Sequence, residues 1–236
     1  MGSAAPKLNT QVSRLTHMKQ LSILIADDQV LVRKGLRALL GAKPEWAVAG
    51  EANNGLEAIE KALILQPNLI IVDISMPQLN GLGAIPRMLQ AAPHARVLVL
   101  TMHNAEEVIQ RALQVGASGY VLKSDAEESL LEAVSAVATG RRFVTPSVAR
   151  TVLGRVRVPG TTRKHNRTLD FAHPTGREEE VIQLLSEGNS NKQVAALLGI
   201  SIRTAENHRA RLMKKLGLNS LSDLVRYAIR NNIIRA

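Results

Sequence analysis

Between Leu21 and about Thr139 the chain alternates two kinds of hydrophobic pattern. Short apolar and β-branched runs, at Ser22–Ala26, Trp46–Glu51, Leu69–Asp73, Val97–Thr101 and Gly119–Leu122, read as strands. Between them, Val30–Leu40, Gly55–Leu65, Leu82–Gln90, Ala105–Val115 and Ala126–Ala138 repeat apolar residues every three or four positions, as a helix with one inward face does. Gly41, Gly81 and Gly116 stand where helices stop or start, and Pro67 and Pro93 break the helix-to-strand turns. Strands and helices in strict alternation predict a five-stranded parallel sheet covered on both faces. Right-handed crossovers make it a doubly wound α/β fold.

Beyond residue 140 the pattern changes. Residues 141–173 hold 8 Lys/Arg against the single Asp170, with Pro146, Gly154, Pro159 and Gly160 interspersed. One helix is predicted over Pro146–Val156, and "RVPGTTRKHNRTLD" reads as a flexible basic linker. From Thr175 onward only helical spacing remains, over Thr175–Ser186, Asn191–Leu198, Ile202–Leu216 and Leu221–Asn231. Thr175 and Ser201 are N-cap residues, and Glu178 completes a capping box with Thr175. Two helices joined by the tight "GIS" turn predict a helix-turn-helix inside a small all-α domain of four helices.

The charge balance separates the two halves. The net charge of +10 divides into 12 Lys/Arg against 13 Asp/Glu up to residue 140, and 18 against 7 after it. A neutral first half joined to a strongly basic second half points to nucleic acid as the partner of the second. The absence of cysteine excludes disulfides and thiolate metal sites. No apolar run reaches the roughly 20 residues of a membrane span, and residues 1–19 read as a polar tail, with Met18 a candidate native start. The expectation is a soluble cytoplasmic protein.

In a doubly wound sheet, chemistry gathers at the carboxyl ends of the strands. Strand one ends in Asp27-Asp28, strand three in Asp73, strand four in Thr101, and Lys123 follows strand five. Three carboxylates on one edge repel one another, and a hard divalent cation such as Mg²⁺ offsets that repulsion. The same ion neutralises a phosphoryl group arriving at an aspartate acting as nucleophile. Two other chemistries fail on motif grounds. "GLGAIP" lies after strand three with Pro86 in place of the third glycine of a dinucleotide loop, and no G-x-x-x-x-G-K-[ST] run exists. Adjacent Asp27-Asp28 does not supply the D-x-D on strand one expected of an aspartate-based phosphatase.

"LIADDQ", "IIVDISMPQLNG", "VLVLTMH" and "GYVLKS" resemble the receiver domain of two-component response regulators, over about residues 20–140. The resemblance implies a flavodoxin-like sheet with Asp73 as phosphoacceptor, served by a sensor histidine kinase or a small phosphodonor. It implies Mg²⁺ held by Asp28, Asp27, Asp73 and the Ser75 carbonyl, with Thr101 and Lys123 on the phosphoryl oxygens. Tyr120 falls at the aromatic position whose ring moves inward when the threonine closes on the phosphate. Ser124 departs from the family, where proline often follows the lysine, so the backbone needs another way to place Lys123.

The stretch from Thr175 to Leu218 resembles the LuxR-type DNA-binding domain, a match covering about residues 174–236. Helical geometry places Ala205, His208, Leu212 and Leu216 inward, and Arg203, Asn207, Ala210, Arg211 and Lys214 outward, with Glu206 and Lys215 at the flanks. The resemblance places Ile202–Leu216 in the major groove and has Gly188 to Lys192 shape the turn and open the scaffold helix. Lys192, Arg203, Thr204, Glu206, Asn207, Arg209, Ala210, Arg211, Lys214 and Lys215 are therefore the candidate DNA contacts. Pro174 and Glu206 depart from residues common in the family. Together the two resemblances imply a NarL/FixJ-like transcription factor rather than an enzyme. Its promoter binding, as a homodimer on double-stranded DNA, would follow phosphorylation of Asp73.

Overall fold

A computed structural model describes residues 20–153, 174–231 and 233–234. The expected N-terminal tail, and the linker from residue 154 to 173, lie outside the described residues. So does the last part of the helix expected over Pro146–Val156.

The first body is built from β1 (Leu21–Ala26), α1 (Val30–Gly41), β2 (Trp46–Ala52), α2 (Gly55–Leu65), β3 (Leu69–Val72), α3 (Gly81–Ala91), β4 (Arg96–Thr101), α4 (Glu106–Gln114), β5 (Gly119–Leu122) and α5 (Ala126–Ala138). β6 (Phe143–Val144) and α6 (Pro146–Leu153) complete it. The sheet is wholly parallel in the order β2-β1-β3-β4-β5-β6. The sheet therefore has six strands where the pattern predicts five. Two residues are too few for hydrophobic alternation to register, and β6 is defined only by its pairing with β5 (Gly119 opposite Phe143). The segment expected as linker thus begins as an edge strand of the sheet.

Alternation along each strand sorts its side chains into two cores. Leu24, Ala26, Ile70, Val72, Val97, Val99 and Tyr120 face one layer, with Ala58 and Ala62 of α2, Ile85 and Met88 of α3, Ile109 and Ala112 of α4, and Val148 of α6. Ile23, Ile25, Leu69, Ile71, Leu98, Leu100 and Val121 face the other, with Leu36 and Leu40 of α1 and Leu130, Val134 and Val137 of α5. The chain runs from β1 outward to β2 and then back across to β3. The switch in strand order lies between β1 and β3, where Asp27 and Asp73 follow their strands.

The turn after β3 is tightly built. Gly81 donates its N–H to Ile74 O at 2.8 Å, and a Cβ at this position would lie 2.2 Å from Asp73 O. Only glycine lets α3 begin this close to Asp73. Asn80 caps α3 by accepting from the Gly83 amide.

The second body holds α7 (Gly176–Ser186), α8 (Asn191–Leu198), α9 (Ile202–Leu216) and α10 (Leu221–Arg230). Its core joins Val181, Ile182, Leu184 and Leu185 to Val194, Ala205, Leu212, Leu216, Leu224, Ala228 and Ile233. Thr175 and Glu178 form the expected capping box, Ser190 and Gln193 form a second, and Ser201 caps α9. Gly199 and Gly217 end α8 and α9 in the left-handed conformation, both at φ 64°. The two bodies touch, α7 lying against α3 and the loop before it.

Candidate phosphoryl site and DNA-binding face

The C-terminal edge of the sheet brings together the residues that the sequence places at its strand ends. Asp27 and Asp73 are 2% and 1% exposed, and the Lys123 ammonium lies 2.6 Å from one carboxylate and 2.8 Å from the other. Carboxylate oxygens of Asp27, Asp28 and Asp73 all lie within 4.8 Å of one another. Burial pushes the Asp27 carboxyl up, against the pull of hydrogen bonds from Lys123 and the Gln29 amide. Clustered hard oxygen donors of this kind fit a small divalent cation, whose charge would offset the repulsion among them. The Ser75 amide donates to Asp73 Oδ1 at 3.3 Å. Thr101 is fully buried, and its hydroxyl has no hydrogen-bond partner among the described residues. A buried hydroxyl without a partner is costly unless a ligand satisfies it, and an oxyanion at Asp73 is such a ligand.

Lys123 needs no proline after it. Residues Lys123–Asp125 form a single 3₁₀ turn, and Asp125 accepts from the Ser124 hydroxyl at 2.9 Å and from Ser147 of α6. The extension that follows β5 therefore anchors the lysine loop.

Tyr120 lies on β5, in register with Val99 of β4. It is completely buried, packed in the first core, and its hydroxyl donates to the His103 carbonyl at 2.8 Å. Burial and the nearby Asp73 charge push its phenol well above the usual range. The ring already occupies an inward position, because the β4–α4 loop supplies an acceptor for its hydroxyl. His103, two residues after Thr101, was not singled out from the sequence; its imidazole also pairs with the Ser75 hydroxyl.

On α9, Arg203, Glu206, Asn207, Ala210, Arg211 and Lys214 form one exposed face, and Lys192 is exposed in the first turn of α8. The remaining candidates stand apart. Thr204 shares a hydroxyl hydrogen bond with the capping Ser201, Arg209 is half-buried, and Lys215 is paired to Glu178 of α7 at 2.7 Å. His208 is half-buried.

The sequence reading also missed the carboxylates that bind the two bodies together. Glu179 and Glu180, 7% and 5% exposed, pair with Arg111 of α4 and Arg87 of α3. The available signal was the acidic run Glu178–Glu180 inside an otherwise basic half-chain.

Comparison with known proteins gives this geometry its class. Residues 23–135 match the response regulator receiver domain, and residues 175–228 match the LuxR family of bacterial regulatory proteins. The oxygen regulatory protein NreC of Staphylococcus carnosus is 34% identical over 91% of this chain and 99% of its own. The crystal structure of a LuxR-family two-component response regulator from Aurantimonas sp. SI85-9A1 is similar over 57% of this chain and 96% of that one. Its identity is 32% and its TM-score 0.55. RcsB of Salmonella typhimurium is similar over 88% of this chain and 97% of its own, at 26% identity and a TM-score of 0.54.

The chain belongs to the two-component response regulators that carry a receiver domain and a LuxR-type DNA-binding domain. It is a NarL/FixJ-like transcription regulator, not an enzyme. Among the described residues no helix is long and apolar enough to cross a membrane.

Proposed function

We propose that Mg²⁺-dependent phosphorylation of Asp73 controls dimerisation of this regulator and its sequence-specific binding to promoter DNA. Residues 20–140, extended by β6 and α6, act as the receiver, and 174–236 as the DNA-binding domain, with the basic linker between them. The phosphoryl group comes from a sensor histidine kinase or a small acyl phosphate. The observation that carries the reading is one ammonium, Lys123, shared by two buried carboxylates beside an unsatisfied buried hydroxyl, Thr101.

An oxygen of the Asp73 carboxylate forms a bond to phosphorus while the donor's P–N or P–O bond breaks, and the leaving group departs with the bonding pair. Lys123 and Thr101 donate to the phosphoryl oxygens, replacing contacts that Lys123 makes to Asp27 and Asp73 in the unphosphorylated chain. Asp27, Asp28, Asp73 and the Ser75 carbonyl would hold Mg²⁺, which supplies charge neutralisation for the incoming phosphoryl group. Because Tyr120 is already inward, phosphorylation acts by fixing the Thr101–His103 loop against it, a two-state element biased by local charge.

At the other end, Arg203, Asn207, Ala210, Arg211 and Lys214 present base-reading and phosphate-binding groups to the major groove, with Glu206 narrowing the choice of site. Lys192 binds backbone phosphate at the start of α8, and two copies pair through α10 or through receiver surfaces. Phosphorylation with radiolabelled acetyl phosphate and Mg²⁺ tests the chemistry. The parent should carry an acid-labile, base-sensitive label, Asp73→Asn should carry none, and Asp28→Ala should lose most of it. Persistent labelling of Asp73→Asn at the same site would overturn the assignment.

A further inference from the structure

The contact between α7 and the receiver falls beside the acidic edge of the sheet, on the loop that follows Asp73. Gln183 of α7 is 1% exposed. Its amide donates to Met76 O at 2.7 Å, and its carbonyl accepts from the Asn80 amide at 2.7 Å. A buried glutamine with both ends on main chain is a positioned contact, since either end left unpaired would be costly. Four residues on, the Glu187 carboxylate accepts from the Gln78 amide at 3.2 Å. All three receiver groups belong to the loop Met76–Asn80, which begins three residues after Asp73. Glu180 with Arg87, and Glu179 with Arg111, fasten the flank of the same helix.

Between the bodies this leaves a cavity of about 250 Å³. Asp28, Ser75 and Met76 line it on the receiver side, and Ser186, Glu187 and Ile233 on the other. The recognition face is not what the contact covers, because Arg203, Asn207, Arg211 and Lys214 stay exposed. What it covers is the loop Met76–Asn80, with Asp28 and Ser75 of the acidic edge on the cavity wall. A helix with its side chains is about 10–12 Å across, so a helical protein donor does not enter such a space.

Resting on the reading of Asp73 as phosphoacceptor, we propose that α7, with Ile233 and Ile234, forms the outer wall of the phosphoryl site. In this closed arrangement Asp73 takes phosphate from small acyl phosphates and is screened from bulky donors, a phosphohistidine on a protein surface included. Opening the α7 contact admits the large donor. In the closed chain, the Asp73 carboxylate oxygen forms the new O–P bond as the acyl O–P bond of the small donor breaks. The donor's carboxylate leaves with the bonding pair, and no further reactant is needed.

Donor size provides the test, with the full chain and Mg²⁺ throughout. Labelling rates are compared for acetyl phosphate and for a bulky aryl acyl phosphate such as 4-phenylbenzoyl phosphate. Gln183→Ala and Arg111→Glu should each raise the bulky-to-small rate ratio by about tenfold, a usual size for coupling between two sites. The acetyl phosphate rate should stay close to that of the parent. The charge exchange Arg111→Glu with Glu179→Arg should bring the ratio back toward the parent value, which a merely damaged fold would not do. Equal ratios in parent and variants, with acetyl phosphate labelling intact, overturn the screening proposal alone. No labelling of the parent by acetyl phosphate overturns the Asp73 reading and this proposal together.

Discussion

At the sheet edge, Asp27 and Asp73 are buried and share the ammonium of Lys123; on α9, Arg203, Asn207, Arg211 and Lys214 stand in solvent. Both regions are sets of charged and polar groups that the proposed function assigns to phosphate, yet their physics differs. In the first, low dielectric makes each charge dependent on its neighbours, so removing one strands the others. In the second, water screens each group until DNA arrives, so the face costs the free protein little and contributes only on binding. Damage should therefore reach stability at the sheet edge and affinity alone on α9.

The largest expected effect tests the buried side. Lys123→Ala leaves two buried carboxylates facing each other, and the loss of one partner from a buried pair costs on the order of 3–5 kcal/mol. Urea unfolding in chelator should show that loss, and added Mg²⁺ should recover part of it. Unchanged stability in chelator would mean that the edge is as well solvated as α9.

The exposed side should respond differently. Asn207→Ala or Arg211→Ala should cost about 1–3 kcal/mol on the preferred DNA site. Their unfolding midpoints should stay within about 0.5 kcal/mol of the parent. Binding titrations on specific and random duplexes would check this, with the specificity ratio expected to fall. Lys192→Ala should weaken both duplexes about equally and lower the salt slope by roughly one unit. A change of specificity there would move Lys192 from the phosphates to the bases.

The smallest effect concerns an ion pair of intermediate exposure. A hydrogen bond from Arg37 holds Glu51 below the usual carboxylate range, burial opposing it and Arg33 adding to it. A carboxylate depressed in the folded state stabilises the protein above its ordinary value, and that contribution is lost as pH falls through the folded value. Receiver stability should therefore decline on acidification below the ordinary glutamate range. Glu51→Gln should flatten the decline by about 0.2–1 kcal/mol, as for partly exposed pairs. An identical acid slope in the variant would assign the decline to other carboxylates.

How much of this was legible beforehand follows from distance along the chain. Strand ends announce themselves where an apolar run meets Asp27, Asp73 or Thr101, because a parallel strand's carboxyl edge is fixed by its direction. The outward face of α9 is likewise written in its own 3.6-residue period. Lys215 shows where that local reading stops. Its place on the helix was foreseen, but its engagement by Glu178 depends on α7, which is 37 residues away.

The sequence by itself therefore determined two folded bodies, their element types, the acidic edge of the sheet and the exposed polar face of α9. Each is set by periodicity, caps and strand direction within a few dozen residues. Only the tertiary structure decided that β6 joins the sheet, that Tyr120 rests inward on His103, and that Gln183 meets Met76 and Asn80 across more than a hundred residues. These rest on pairings between backbone groups, which carry no residue-specific pattern, or on buried polar contacts whose partners are chosen by packing. An acidic run such as Glu178–Glu180 looks solvated in one dimension. In three dimensions Glu179 and Glu180 meet arginines of the other body.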